Sequence, residues 1–282
     1  MAIINGYITL ADFKAELTPP RQTLQIDTVD DHKIEDTISA ASRRVDDLMG
    51  GRVFYPYIQT YAYDVPTENL IKLKADLLEL TTLTNGDTTV LTSSDYVLLP
   101  ANVYPKHSVK LRDTSAYYWT YNSAGSIEQV ITALGYWGYH EQYSTRAWKQ
   151  VGTLGAAWSS TSTLTATLTA GYTLDTHGGE IIKIDNEILQ TDYISTTTLT
   201  VQARGDNGST AATHLISAPI YLWTPMVDIA ALTLEITKIM YRARYGENVE
   251  TTATYTQSGV IVTPRSLPVW AQEIISRYKR IL

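Results

Sequence analysis

Five histidines, at positions 32, 107, 140, 177 and 214, stand singly along the chain. No two have the HExxH spacing, or any other, that would set a pair of metal ligands on one face of a helix, so they read as surface or loop residues. His177-Gly178-Gly179-Glu180 has the composition of an esterase oxyanion loop, whose N–H groups would hold a developing alkoxide. The G-x-S-x-G elbow that such a loop serves is missing from the sequence, and a tight hairpin turn is expected instead. Asp185, Glu187 and Asp192 could in principle form a Ca²⁺ cluster or an acid–base carboxylate pair. They alternate with Ile184, Ile188 and Leu189, which predicts the solvent face of a hairpin. Arg204-Gly205-Asp206 and Asn207-Gly208-Ser209 spell an integrin tripeptide and a glycosylation sequon. Without a secretion signal, both read as features of a turn-rich loop. Arg277, Lys279 and Arg280 could meet phosphate or an acidic partner, or could form a solvated face that suits a helix C-terminus; both readings stay open.

The sequence holds no Cys, which excludes disulfides, thiolate nucleophiles and sulfur-ligated metals. It has neither a Walker loop nor a dinucleotide glycine fingerprint. Nothing assembles a nucleophile, a base and an orienting group, so a non-catalytic protein is expected, with no catalytic residues, no metal and no cofactor. A net charge of −7 speaks against a chain that grips phosphates, which takes a basic face. No apolar run approaches the roughly 20 residues of a membrane helix, and the N-terminal MAIINGYITLADF lacks a basic leader, so a soluble chain made in a cytoplasm is expected.

The elements that must position these residues fall into three textures. Thr9 and Asp12 open a short helix over 9–18, stopped by Pro19-Pro20. A second helix over 30–49 carries Ile34, Ile38, Ala41, Val45 and Leu48 on one stripe and ends at Gly50-Gly51. From Tyr55 to His140 the period drops to two. Asn85-Gly86 marks a hairpin, and strands are expected at 96–99, 108–111, 117–121 and 128–137. Residues 151–222 are rich in Thr, Ser and Gly, and predict a compact all-β module with Ile181, Ile182, Ile184, Ile188 and Leu189 in its core. Thr224-Pro225 then opens a helix with Ile229, Leu232, Ile236 and Ile239 on one stripe, ending before Gly246. GVIV offers a further strand. Pro268 opens a last helix with Trp270, Ile274, Tyr278 and Ile281 on one face and Arg277, Lys279 and Arg280 beside it. The fold class expected is α+β: a helical core from 1–52 and 224–282, a β-rich domain over 53–150, and an inserted small β module over 151–223. Its 20 Tyr and 6 Trp against 2 Phe suit half-exposed sheet faces and subunit interfaces, and so lean towards assembly.

Three sets of segments resemble the head–tail connector (adaptor) proteins of long-tailed phages. YITLADFKAEL with DDHKIEDTISAASRRVDDLMGGRVFYP is similar to that family's opening helix pair and aromatic strand. DYVLLPANVYP with ITALGYWGYH is similar to its P-x-N strand turn and W-G-Y strand. TPMVDIAALTLEITKIMYRARYG with LPVWAQEIISRYKRIL resembles its returning and C-terminal helices. The module's EIIKIDNEILQTDYI…LTVQARGDNGSTAATH resembles a small β motif of virion proteins in which an R-G-x-N-G-T-x-A-x-x-H turn closes a hairpin, with Ser209 where Thr is usual. The simplest family members lack this module.

The resemblance implies a structural virion protein at the neck, assembled in the host cytoplasm as a dodecameric ring. The ring would dock beneath the portal protein, receive the tail-side stopper or tail-completion protein, and let genomic DNA pass without gripping it. The portal and ring contacts would fall on Trp270, Ile274, Arg277, Tyr278, Lys279, Arg280 and Ile281, on an arm over 267–282 whose loss leaves the fold intact. Packing of Ile34, Ile38, Val45 and Leu48 against Ile229, Leu232, Ile236 and Ile239 would build the core. The alternatives are a tail or capsid protein that binds glycans through 151–222, with exposed Tyr and Trp as platforms, and a virion-associated hydrolase.

Overall fold

The computed structural model describes residues 3–17, 28–245, 254–255, 261–262 and 267–280. Thr9 and Asp12 cap the first helix, α1 (Leu10–Leu17), reciprocally: the Asp12 N–H donates to Thr9 Oγ1 at 3.1 Å and the Thr9 N–H to Asp12 Oδ2 at 2.9 Å. The expected Pro19-Pro20 stop lies outside the described residues. Helix α2 (Asp31–Leu48) buries Ile34, Ile38, Ala41 and Val45 along one stripe, and Gly50 and Gly51, both at positive φ, end it. Gly50 has a second reason to be glycine, because a Cβ there would lie 3.0 Å from the Arg280 carbonyl oxygen.

Strands β1 (Tyr57–Tyr63), β2 (Leu70–Thr84), β3 (Val90–Leu91), β4 (Tyr96–Leu99), β5 (Lys106–Leu111) and β6 (Ile131–Trp137) form an antiparallel sheet in the order β1-β6-β2-β5-β4, with β3 paired to β2. Register shifts in the long β2, one against β5 and two against β6, accompany the pairing of its first half with β5 and its second with β6. The expected hairpin at Asn85-Gly86 is the β2–β3 turn. The strand expected at 117–121 is not formed. That stretch is tied down instead by the buried Asn85, whose Nδ2 donates to the Tyr118 carbonyl at 2.8 Å and whose Oδ1 accepts from the Thr120 N–H at 3.2 Å. The aromatic alternation there sorts Trp119 inward and Tyr118 and Tyr121 outward without any ladder.

A second antiparallel sheet comprises β7 (Trp148–Thr153), β8 (Thr165–Thr167), β9 (Ile181–Ile184), β10 (Glu187–Ser195), β11 (Thr198–Val201) and β12 (Pro219–Trp223), in the order β7-β12-β9-β10-β11-β8. Strand β7 spans the 150/151 boundary, so the sheet begins a little before the compositional change. Both faces of this sheet are covered. Ile182, Ile184 and Leu189 enter the module's own core, while Ile181 and Ile188 pack with Leu78, Tyr136, Ala147 and Trp223 against the first sheet. The indole N–H of Trp223 donates to the Phe54 carbonyl across that joint at 3.1 Å.

Helix α3 (Val227–Tyr245) follows, then the short pair β13 (Thr254–Tyr255) and β14 (Ile261–Val262), the latter within the expected GVIV strand, and α4 (Val269–Tyr278). The stop expected at Gly246 lies outside the described residues. α2 and α3 pack together: Ala41, Val45 and Met49 meet Ile229, Leu232 and Ile236, with Leu48 half-buried beside them. Ile34 and Ile38 join Ile3, Ile8, Leu10 and Phe13 under Ala230 and Leu234. Ile239 is half-buried. Thr233 and Thr237, also buried in α3, return their hydroxyls to the Ile229 and Thr233 carbonyls, so burying them leaves no orphaned polar atom. The fold is α+β.

Candidate functional site

Helix α4 divides the 270/274/278/281 face expected to meet the portal or a neighbouring subunit. Ala271 and Tyr278 are buried, with Ile274 and Ile275 half-buried between them, while Trp270 and Val269 point outward. Tyr278 is a core residue. Its ring meets Phe54 and Tyr139 edge-on, its hydroxyl donates to Asp228 Oδ2 at 3.1 Å, and its carbonyl accepts from Arg52 Nη1 at 2.7 Å. Arg277 pairs with Glu141 at 3.2 Å and lies 3.7 Å from Asp228. The Arg280 N–H donates to the Met49 carbonyl and its guanidinium to the Lys74 carbonyl. The segment is therefore an integral part of the core, and the expectation of a dispensable arm is corrected: removing 267–280 would open a hole beneath Phe54. Of the residues expected to meet the portal or a neighbouring subunit, Trp270 and Lys279 are exposed and Ile274 is half-buried. Tyr278 is taken up inside, Arg277 and Arg280 are engaged within the chain, and Ile281 lies outside the described residues.

Two further clusters tie the helices to the sheets. The Tyr7 hydroxyl donates to the Asp46 carboxylate and accepts from the Phe54 N–H at 2.9 Å, and Arg43 pairs with Asp46 at 3.1 Å. Burial pushes Asp46 up to about 6 against the pull of Arg43 and the Tyr7 hydroxyl. Burial and the neighbouring Asp46 raise Tyr7 well above the usual phenol range. Arg52 pairs with the buried Asp76 at 2.9 Å while stacking over the Tyr139 ring.

The densest polar constellation lies in the second sheet, and there the solvent-face expectation fails for Glu187, one of the three acidic residues. Asp185 is exposed at the β9–β10 turn, but Glu187 is only 1% exposed. Arg204 grips Glu187 with two bonds of 2.8 Å, Nε to Oε1 and Nη2 to Oε2. The Gly205 N–H adds 2.9 Å to Oε1 and the Ala212 N–H 3.0 Å to Oε2. His214 Nε2 lies 2.9 Å from Oε2, and its Nδ1 lies 2.8 Å from Asp185 Oδ2. Burial alone would raise the Glu187 carboxyl. The bonds from Arg204, the Ala212 N–H, His214 and the Gly205 N–H outweigh it and hold the group at about 2. Arg204 also covers the Trp158 ring at 3.8 Å, so this buried indole offers no glycan platform. His214 and His140 are both buried, which corrects the surface reading for these two histidines.

The R-G-x-N-G…H spelling thus describes one buried cross-link. Arg204 and His214 clamp Glu187, Gly205 and Gly208 take positive φ, and Ser209 Oγ accepts from the Ile188 N–H at 2.9 Å. Asn207, itself at φ 50°, reaches out of the loop to Asn5 and the Pro56 carbonyl. Glu187 was not recognisable as the clamp's anion, because its place in the alternation marks a face and not what covers that face. Asp46 did leave a signal, since it follows Val45 of the buried α2 stripe directly, where an unpaired carboxylate would be costly.

Two donors engage one Glu187 oxygen and three the other, so this carboxylate holds the 204–214 loop as the anion of a clamp. The glycine pair at 178–179 sits in a turn against β10, with the Gly179 N–H donating to the Thr191 carbonyl at 2.8 Å. Among the described residues no group of three His, Asp or Glu is arranged to hold a metal ion, and no helix is long and apolar enough to cross a membrane. No protein-family model matches the chain, and no curated protein matches it.

Proposed function

We propose that this chain is a head–tail connector subunit of a long-tailed phage, a non-catalytic protein that forms a ring below the portal, receives the tail-side stopper and lets DNA pass. One observation supports the reading. The stretches that carry the resemblance are far apart in sequence, yet they meet in a single cluster: Tyr7, Val45 and Phe54 from the first, Tyr139 from the second, and Ile229, Leu232 and Tyr278 from the third. In the proposed ring, one surface of each subunit would meet a different surface of the next, a contact that closes when repeated by rotation. Gold-labelled antibody against the chain, applied to virions that carry it, should decorate the neck between head and tail. Label on tail fibres or over the capsid surface would sink the assignment and favour the glycan-binding alternative.

A further inference from the structure

Strand β4 leaves one edge of the first sheet open, and the register with β5 says which of its backbone groups are free. The Arg112 N–H donates to the Asp95 carbonyl at 2.8 Å, so Asp95 and Arg112 form a hydrogen-bonded pair. In an antiparallel ladder such pairs alternate with pairs that exchange no bonds. Val97 with Lys110 and Leu99 with Ser108 are then bonded, whereas Tyr96 with Leu111 and Leu98 with Val109 are not. The Leu111 carbonyl agrees, because it faces away from β4 and accepts from Asn69 Nδ2 at 3.0 Å. The N–H and C=O groups of Tyr96 and Leu98 therefore point off the sheet. The Tyr96 carbonyl is taken by Arg112 Nε at 3.0 Å. The Tyr96 N–H and both Leu98 groups have no partner among the described residues. At the opposite edge, β1 starts beneath the 205–209 loop, where a Cβ on Gly208 would fall 2.1 Å from the Ile58 carbonyl oxygen.

Beside the open edge of β4 runs a groove of about 660 Å³, lined by Tyr96, Leu98, Tyr104, Tyr143, Lys106 and Arg112 among others. Its charge is unbalanced. Lys106 is 5% exposed, donates to the Pro100 and Ala101 carbonyls at 2.8 Å each, and has no carboxylate partner among the described residues. Arg112 likewise makes no ion pair there. The groove's acidic side chain, Glu79, already accepts from the Tyr143 hydroxyl at 2.9 Å.

We propose that β4 and this groove receive an extended, acidic segment of a second copy of this chain, which adds to the sheet as a further strand. An open edge supplies backbone hydrogen bonds for such an addition, and the flanking pocket selects the side chains. The charge argues for a second copy: two cations beside one engaged carboxylate complement a chain that itself carries −7. The inference deepens the ring reading and rests on it. It places the joint between neighbouring subunits on the first sheet, away from α4.

The test uses the full chain. Sedimentation and mass photometry measure self-association for the wild type, Leu98→Pro and Arg112→Glu. Leu98→Pro deletes an N–H that the in-chain ladder does not use, a place where a strand tolerates proline. Arg112→Glu reverses an exposed charge at the rim. Each variant, with unchanged circular dichroism, should associate at least about 10-fold more weakly: Leu98→Pro loses an edge bond, and Arg112→Glu replaces a groove cation with a charge that repels an acidic strand. Should Leu98→Pro fail to fold, hydrogen exchange on the wild type decides: assembly should newly protect the Tyr96 and Leu98 amides, while Val97, already bonded to Lys110, changes little. Equal association of folded variants with unchanged exchange at these amides would overturn the docking site and leave the ring reading standing. Docking that stops at a two-fold dimer would keep the site and sink the ring. A wild-type chain that stays monomeric through the concentrations of assembly overturns the docking.

Discussion

Changing Glu187 to Gln removes one charge from the most enclosed polar site in the chain and keeps the side chain's shape. The wild-type carboxylate accepts from Arg204 and the Gly205 N–H on one oxygen, and from Arg204, the Ala212 N–H and His214 on the other. Glutamine offers one acceptor oxygen, and its amide nitrogen must face donors whichever way it turns. Arg204, with its side chain 4% exposed, keeps its charge and loses its counter-ion. Removing one member of a buried pair costs about 3–5 kcal/mol. Proton linkage gives a second estimate. A carboxyl held at about 2 against an ordinary 4.5 corresponds to about 3 kcal/mol, reduced to about 2 kcal/mol for screening by the solvent nearby. The sign follows from the depressed value: this stabilisation is complete above pH 4.5 and is lost as pH falls towards 2. Urea unfolding and hydrogen exchange over residues 187–214 should show the variant weaker by about 2–4 kcal/mol at pH 7, and the gap should roughly halve by pH 3. A difference below about 1 kcal/mol at pH 7, or a gap that widens in acid, would refute the account of Glu187 as the anion of a buried clamp.

Four other perturbations probe separate joints. Ile38→Asp puts an unpaired carboxylate where the wild-type side chain is fully buried between α1 and α3, and should abolish soluble folded protein in gel filtration and circular dichroism; a normally folded variant would discredit the core assignment. Tyr278→Ala should cost about 3–5 kcal/mol in thermal or urea unfolding while Trp270→Ala stays within about 1 kcal/mol, and equal effects would put the wrong face of α4 inside. Gly208→Ala meets the Ile58 carbonyl at a backbone φ of +78°, so melting should fall by an amount equivalent to at least about 2 kcal/mol; a loss of about 1 kcal/mol or less, the backbone strain alone, would show that the 205–209 loop does not rest on β1. Burial, with Asp175 and Asp12 nearby, lifts the Glu180 carboxyl to about 7 although the Asp175 N–H pulls it down. Its folded value is raised, so stability is full below pH 4.5 and lost as pH rises through 7; Glu180→Gln should raise the melting temperature at pH 8 and leave it near wild type at pH 5, and an equal effect at both would reject the shift.

Period and punctuation made the helices legible, because α2 and α3 bury most of the stripe that their spacing marks, and Thr9, Gly50 and Pro225 stand where caps and starts belong. The same reasoning placed β4 on Tyr96–Leu99, a short apolar run closed by proline. It did not separate the two sides of α4, where the exposed Trp270 and the buried Ala271 differ by one position. A 100° rotation is beyond what hydrophobicity alone decides when the smaller residue is the one that fits beneath Phe54. It failed on 117–121 because an aromatic alternation needs a neighbouring strand to become a ladder, and the Asn85 side chain occupies that backbone instead. Glu187 and His214 were misplaced for a related reason. Period two separates the faces of β10, but the chain that covers the outer face arrives from the 204–214 loop, and no local pattern encodes that arrival.

The same non-local closure bears on what the second sheet does for the rest of the chain. Its texture reads as an insertion, yet its links to the body run through polar side chains in specific pairings. The Asn5 N–H donates to Gln190 Oε1 at 2.7 Å, Gln202 Nε2 donates to the Ile3 carbonyl at 2.8 Å, and Asn5 and Asn207 exchange bonds of 3.0 and 2.8 Å. Asn5 holds φ 47° to make these bonds, a conformation asparagine tolerates better than most residues. Gly179 leaves room for Ile3, whose side-chain carbon would lie 2.8 Å from a Cβ at that position. The segment ahead of α1 is thereby clasped between the second sheet and α2, where Ser39 Oγ and Ser42 Oγ receive the Ile4 and Tyr7 N–H groups. The second sheet is thus fixed to the rest of the chain at Asn5, Phe54 and Ile58, contacts drawn from separate stretches of the sequence.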